Sequence, residues 1–257
     1  AQMPAPSGPE FISDLAVHPD TGQIFVSVAN PSNGIWASNP EGTAFTASWS
    51  VPSGGAIDVG RDGRVYIAGP EEDMIRGYSV YGAPVATIAT DAGGNPAEQI
   101  PAGIAVDGKR IWISDREQDE IRGFTGPGVH VGTIGNTGPN ALVDVGQIDV
   151  GEPGRIYALD RGDHSVKIFD ADGTFVERVE TGMGDPVDVT AHADGSFWVL
   201  GSSGQVVTFS LMPRVVGGDS RNFGSSFLGN PGSEQMIYLQ NDNYLLPLPV
   251  LNTSLAD

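Results

Sequence analysis

Three aspartates occupy matching places in a recurring tripeptide: Ile57-Asp58-Val59, Ile148-Asp149-Val150 and Val187-Asp188-Val189. In an extended strand successive side chains point to opposite faces, so each aspartate is directed away from its two apolar neighbours. If the strands that carry them stand around a common axis, the carboxylates converge, with Asp14 and Gln147 able to join them. Such an oxygen-rich set suits Ca²⁺, which takes about six to eight oxygen ligands. The plainer alternative is that these carboxylates line a solvated channel or accept hydrogen bonds from neighbouring backbone. Asp58, Asp149 and Asp188 are therefore the candidate metal site, and Ca²⁺ is the only cofactor suggested.

A second group of reactive side chains lies in short polar segments. Glu71, Glu72 and Asp73 form one, and Asp115, Arg116, Glu117, Asp119 and Glu120 a second. Asp160, Arg161, Asp163 and His164 form a third. Gathered on one face, these acids would attract a small cationic ligand or the basic patch of a protein partner. Charged loops also serve simply to keep a surface soluble. Several other chemistries are excluded. Cysteine is absent, which removes disulfides, thiolate metal sites and cysteine nucleophiles. No Gly-x-Ser-x-Gly elbow, phosphate loop or dinucleotide fingerprint occurs. The four histidines, His18, His130, His164 and His192, do not recur at one strand position, so a three-histidine zinc site is not expected.

The elements that must position these residues are legible from Gln147 to Thr181. Four short apolar runs are separated there by Glu152-Pro153-Gly154, Arg161-Gly162-Asp163-His164 and Ala171-Asp172-Gly173. Gly and Asp at these points favour chain reversal, so the segment predicts a four-stranded antiparallel meander. The same pattern recurs. The second-strand aromatic falls at Tyr66, Trp112 and Tyr157, spaced 46 and 45 residues apart. The first apolar residue of the third strand falls at Ile75, Ile121 and Val166, and its last aromatic at Tyr78, Phe124 and Phe169, with identical spacings. Phe25 and Trp198 extend the series by 41 residues on either side. A single sheet of this kind cannot bury both faces, so repeats at this period must stack on one another.

The expected fold is all-β: a six-bladed β-propeller of four-stranded antiparallel blades, in one domain spanning 1–257. The blades are expected at about 12–51, 55–90, 102–135, 146–181, 186–216 and 223–257. The last is degenerate, and the termini are expected to close the ring; Pro247 and Pro249 suit an edge strand. The long connections from Thr90 to Pro101 and from Gly135 to Gly146 are candidate mobile rims over the channel. Trp36, Trp112 and Trp198 sit at strand positions and read as packing residues.

Several segments resemble NHL repeats: Pro101-Ala-Gly-Ile-Ala-Val-Asp107, Arg110-Ile-Trp-Ile-Ser-Asp115, and Asp163-His-Ser-Val-Lys-Ile-Phe-Asp170 followed by Asp172-Gly-Thr-Phe175. The resemblance covers residues 12–210, best in the second to fourth blades. It implies a propeller, often six-bladed, in a class that serves enzymes, ligand-binding proteins and interaction scaffolds alike. The expected function is a non-catalytic binding or protein-assembly module, with a metal-dependent hydrolase or lyase at the channel mouth as the alternative.

Charge narrows the partners. With 13 basic and 32 acidic residues the net charge is −19, which disfavours nucleic acid and anionic membrane surfaces. No apolar run of about 18 residues is present to form a transmembrane helix. The Ala1-Gln2-Met3 start resembles a mature end left after signal-peptide cleavage, so the expected location is secreted, periplasmic or at the cell surface. Lys109 and Lys167 are the sole lysines, and this acidic, lysine-poor composition resembles that of proteins from saline habitats. Counterions would screen the self-repulsion of so many carboxylates. The melting temperature should therefore rise as salt is raised from millimolar to molar; a flat or falling profile in thermal unfolding would refute this.

Overall fold

The computed structural model describes residues 11–29, 32–69, 74–89, 101–108, 110–151, 154–192 and 194–210. The described residues up to Phe209 belong to one compact unit. Blade 1 consists of β1 (Phe11–Val17), β2 (Ile24–Ala29), β3 (Gly34–Ser38) and β4 (Phe45–Ser50). Blade 2 consists of β5 (Ala56–Val59), β6 (Arg64–Ala68), β7 (Met74–Ser79) and β8 (Pro84–Ala89). Blade 3 holds β9 (Pro101–Val106), β10 (Arg110–Asp115), β11 (Glu120–Thr125) and β12 (His130–Ile134). Blade 4 holds β13 (Val145–Gly151), β14 (Arg155–Asp160), β15 (Ser165–Phe169) and β16 (Phe175–Glu180). Blade 5 contributes β17 (Pro186–Ala191), β18 (Ser196–Gly201) and β19 (Val206–Ser210).

Each sheet is an antiparallel meander in chain order. The inner strands β1, β5, β9, β13 and β17 pack side by side in sequence around the axis. The chain is thus an all-β propeller of four-stranded antiparallel blades, as the period predicts. Five blades are present among the described residues; the sixth, expected over 223–257, lies outside them. The first hairpin of every blade turns at a glycine with positive φ, from Gly22 at 72° to Gly154 at 96°, a conformation that side chains with a Cβ resist.

The core lies between blades rather than within them. Phe25 and Ile35 of blade 1 meet Ile57, Val65 and Tyr78 of blade 2. Tyr66 and Ile75 of blade 2 meet Ile104, Ile111 and Phe124 of blade 3. Trp112 and Ile121 of blade 3 meet Ile148, Ile156 and Phe169 of blade 4. The landmarks that revealed the repeat are these seam residues, each stabilising the ring by about 1.5–3 kcal/mol on burial.

The two ends of the described series are unlike the seams between them. Leu15 is 57% exposed, whereas the matching Ile57, Ile104 and Ile148 are at most 4% exposed. Likewise Trp198 is 46% exposed, and the matching Tyr66, Trp112 and Tyr157 at most 2%. These are faces that a further blade in a ring would cover. Trp198 thus differs from the packing role expected of it; its indole stacks on the His192 ring, with centroids 6.3 Å apart.

Within blade 3 the indole of Trp112 lies across Gly123 on the adjacent strand, its cross-strand partner in the ladder. A Cβ at Gly123 would fall 2.5 Å from that ring. Replacing Gly123 by Ala must displace Trp112 from the seam with blade 4. We expect Gly123→Ala to lower stability by about 1–3 kcal/mol in chemical denaturation. Gly184→Ala, whose Cβ would meet nothing within 4 Å, should be close to neutral.

Candidate functional site

The inner strands surround a cavity of about 520 Å³, and Asp14, Asp58, Asp149, Asp188 and Gln147 all line it. The candidate carboxylates therefore do converge on the channel. Cross-strand pairing shows that they stand in two tiers. Asp58 faces Tyr66 and Asp149 faces Tyr157, so both sit level with the second-strand aromatic. In blade 5 the residue opposite Trp198 is Thr190, while Asp188 lies opposite Leu200. Asp188 is thus one full pleat away from the place that the Val187-Asp188-Val189 pattern suggested. The pairing is regular from Asp188 to Ala191, so the difference lies in the spacing to the turn: Asp58 and Asp149 precede the turn glycines Gly63 and Gly154 by five residues, and Asp188 precedes Gly195 by seven. The true counterpart of Asp188 is Asp14, opposite Ser27. Asp58 and Asp149 form a tier towards the hairpin turns, Asp14 and Asp188 one towards the blade connections.

Three of the four carboxylates clasp two inner strands. Asp14 accepts the Leu15 amide at 2.8 Å and the Ile57 amide of blade 2 at 3.0 Å. Asp58 accepts Val59 N–H at 2.7 Å and Val106 N–H of blade 3 at 2.6 Å. Asp149 accepts Val150 N–H at 2.7 Å and Ala191 N–H of blade 5 at 2.7 Å, with the Thr190 hydroxyl donating at 3.0 Å. Asp188 accepts Val189 N–H at 2.8 Å, and its other oxygen meets no partner among the described residues. Asp14, Asp58 and Asp149 follow one rule: one oxygen takes the amide of the following residue, the other the corresponding amide of the next blade. Of the two roles weighed for these acids, binding backbone is therefore visible directly. Among the described residues no three His, Cys, Asp or Glu side chains are grouped to hold a metal ion.

Confinement makes these acids weak. Burial pushes Asp14 up to about 6 and Asp188 to about 6, against the lowering effect of their amide donors. Asp58 is pushed up to about 8 by burial and then by the Asp149 charge. Burial also raises Asp149. Asp58 is half-buried and lines the channel. The side chain of Gln147, on blade 4 at the connection-side tier, acts to lower the Asp14 carboxyl.

The acidic segments give a different picture from the charged rim expected of them. Glu71, Glu72 and Asp73 lie outside the described residues. Asp115, Glu120 and Asp160 are buried, and of the remaining described members only Arg116, Glu117 and His164 are exposed. Asp160 takes Lys167 Nζ at 2.6 Å and the Val143 amide at 2.9 Å. Lys167 also reaches Asp163 at 3.1 Å and donates to Ala141 O at 2.5 Å. In blade 3 Arg122 pairs with Glu120 and lies 3.7 Å from Asp115. Burial raises both Asp115 and Asp160. Asp163 is lowered, because the Ser165 hydroxyl and the Lys167 and Arg178 cations outweigh its desolvation. Asp119 accepts the Asp144 amide at 2.6 Å, and Arg116 pairs with Asp144 at 2.5 Å. The Gly135–Gly146 connection, expected as a mobile rim, is thus tied at Ala141, Val143 and Asp144. The rim expected at 90–101 lies almost wholly outside the described residues.

These internal ion pairs were missed although a signal for them exists. Asp115 precedes Arg122, and Asp160 precedes Lys167, by the same seven residues, one repeat apart. An acid ending the second strand and a cation inside the third are placed to meet across the hairpin. The histidines remain dispersed. His18 Nδ1 faces the amides of Asp20 and Thr21, His130 packs on Phe124, and His164 adopts a positive φ of 54° in its turn. Arg161 of the same segment lies 3.9 Å from Asp185.

No family model matches the sequence, and no curated protein matches it. Among solved structures the chain is similar to a protein of unknown function from Bacteroides caccae, with TM-score 0.60 and 14% identity over 79% of each chain. It is also similar to a streptogramin B lyase, with TM-score 0.59 and 17% identity over 80% of this chain and 70% of that one. A third likeness is to a catalytically inactive histidine-to-alanine variant of virginiamycin B lyase from Staphylococcus aureus with quinupristin. There the TM-score is 0.59 and the identity 17%, over 80% of this chain and 71% of that one. At these identities the likeness shows the β-propeller fold alone.

The weak channel acids tie stability to pH. A carboxyl whose folded pKa exceeds its unfolded value of about 3.9 keeps a proton that the unfolded chain has already released. Stability then falls as pH rises between the two values, by at most about 1.4 kcal/mol per pH unit for each such group. The protein should melt at a higher temperature at pH 5 than at pH 8, a window bounded above by Asp58 at about 8. Asp58→Asn, which is neutral throughout, should flatten the upper part of the profile between pH 6 and 8. An unchanged slope in that variant would show that general charge repulsion, and not Asp58, sets it.

Proposed function

We propose that the protein is an acidic, NHL-like six-bladed propeller that acts as a non-catalytic binding or assembly module. One observation carries this reading: the channel carboxylates, the best candidates for chemistry, hold backbone amides of adjacent blades. An acid that clasps two strands in this way is fixed in place and directed at the scaffold, whereas a general acid or base must reach a substrate proton. On the connection side, exposed Arg116, Glu117 and His164 with partly exposed Asp119, Arg161 and Asp163 give a mixed-charge surface. It suits a protein partner of complementary pattern better than it suits a simple cation.

A metal-dependent hydrolase or lyase at the channel mouth is the second reading. It is favoured by the raised carboxyl of Asp58 in a concave site, an arrangement shared by many catalytic acids. Metal analysis of the purified protein with melting in chelator separates the two. The module reading expects no stoichiometric Ca²⁺ or Zn²⁺ and an unchanged melting temperature in chelator. Tightly bound stoichiometric metal, with a loss of several degrees in chelator that added Ca²⁺ or Zn²⁺ restores, would overturn it.

A further inference from the structure

The seams between blades have a fixed make-up. The second-strand aromatic of one blade meets the inner-strand apolar residue of the next: Phe25 with Ile57, Tyr66 with Ile104, Trp112 with Ile148. In a ring of five, Trp198 at the end of this series would cover Leu15 at its start. Both are exposed instead, and β17 and β1 do not pack on each other as the other neighbouring inner strands do. Trp198 therefore lacks its inner-strand residue and Leu15 its aromatic among the described residues. An occupant of blade type supplies both.

The carboxylate clasp carries a second, independent mark of the same vacancy. It always runs from one blade to the next, from Asp14 to Ile57, from Asp58 to Val106 and from Asp149 to Ala191. Asp188 is the counterpart of Asp14: each lies opposite the residue two places beyond the second-strand aromatic, Ser27 after Phe25 and Leu200 after Trp198. Asp14 has both oxygens engaged, whereas Asp188 holds Val189 N–H alone, its other oxygen having no partner among the described residues. What that oxygen lacks is an amide from a following inner strand. The chain beyond β19 has the size to provide one. Residues 211–257 number 47, about one repeat, and begin where β19 stops. They include Phe227-Leu228 and Tyr238, the latter 40 residues after Trp198, where Trp198 itself follows Tyr157 by 41.

We propose that the open edge between blades 5 and 1 is the docking surface for residues 211–257 of the same chain, with the free oxygen of Asp188 accepting an inner-strand amide of that segment. Tyr238 then takes the aromatic's place against Leu15, and Phe227-Leu228 the inner strand's place against Trp198. A second copy could set its Leu15 on Trp198, but only as a head-to-tail contact whose extent depends on concentration. The inference rests on the six-bladed reading and adds to it the surface and the carboxylate that receive the last blade.

Hydrogen exchange read by mass spectrometry tests it on the full chain, with sedimentation to establish that the protein is monomeric. Peptides from 223–257 should exchange far more slowly than an unfolded chain does. Asp188→Asn keeps the shape and an acceptor for Val189 but removes the second one, and should speed exchange of 223–257 at least about tenfold, the effect of one buried hydrogen bond left unmade. Blades 2 to 4 should exchange as before, which separates lost docking from lost fold. Leu15→Glu should act in the same direction, whereas Val85→Glu, at an exposed place on the outer strand β8, should leave 223–257 unchanged. Protected 223–257 peptides that neither Asp188→Asn nor Leu15→Glu affects would overturn the proposal and leave the six-bladed reading standing. Unprotected 223–257 peptides in the monomer would overturn both. Protection that appears only as the protein dimerises would assign the surface to a second copy and likewise overturn the proposal.

Discussion

The carboxylate clasp between inner strands is the interaction on which the ring depends. Neighbouring inner strands of a propeller radiate from one axis, so their backbones cannot ladder with each other as strands within a sheet do. Amide groups on that side would be left facing a narrow, poorly hydrated shaft, at a cost of about 1–3 kcal/mol each. A carboxylate with two oxygens and a short side chain bridges the gap. It accepts one amide from its own strand and one from the next, as Asp14, Asp58 and Asp149 do. Where blade 3 has Ala105 at the corresponding place, the seam to blade 4 uses another device, the Ser114 hydroxyl donating to Gly146 O at 2.7 Å.

That solution sets up an opposing force. Carboxylates brought into one shaft repel each other and lose hydration, which is why Asp58 lies far above the ordinary carboxylate range. Staggering the acids in two tiers moderates the conflict, because Asp58 and Asp149 share one level while Asp14 and Asp188 share the other. Gln147 at the connection-side level supplies a neutral donor where another acid would add charge. The seams carry the compensation. Phe25, Tyr66, Trp112 and their neighbours bury apolar surface that is indifferent to protonation, so the fold tolerates weak acids at its axis.

Much of this was legible in the sequence, for a definite reason. The spacing of Tyr66, Trp112 and Tyr157 reports seam packing, which repeats because every seam has the same geometry. The convergence of Asp58 and Asp149 followed from strand alternation alone. What escaped was whatever depends on register or on burial of charge. Asp188 was misplaced by one pleat because matching tripeptides ignores their distance from the hairpin turn, which is two residues longer here than at Asp58 and Asp149. Asp115, Glu120 and Asp160 read as surface charge, since a run of acids beside a turn looks solvated until the cation across the hairpin is considered. The Asp–Arg and Asp–Lys pairs show that repeat-to-repeat comparison at a fixed offset carries more information here than local polarity does.

The two faces of the propeller thus differ in how their charge is disposed. On the connection side Lys167, Arg122 and Arg116 are drawn inward or sideways to hold acids and loop backbone, so that face presents a mixture of signs anchored from beneath. On the hairpin side the turn acids fold back onto their own amides, as an aspartate before a glycine turn tends to do. Arg61, Arg110 and His192 line the opening, Arg61 paired with Asp20 and His192 close to Asp194. The difference arises from position in the blade: turn acids are consumed by local backbone, whereas strand-end acids need a cation from the next strand. A fold built from one repeated unit therefore acquires a chemical polarity along its axis, and the shaft between the faces inherits a direction from it.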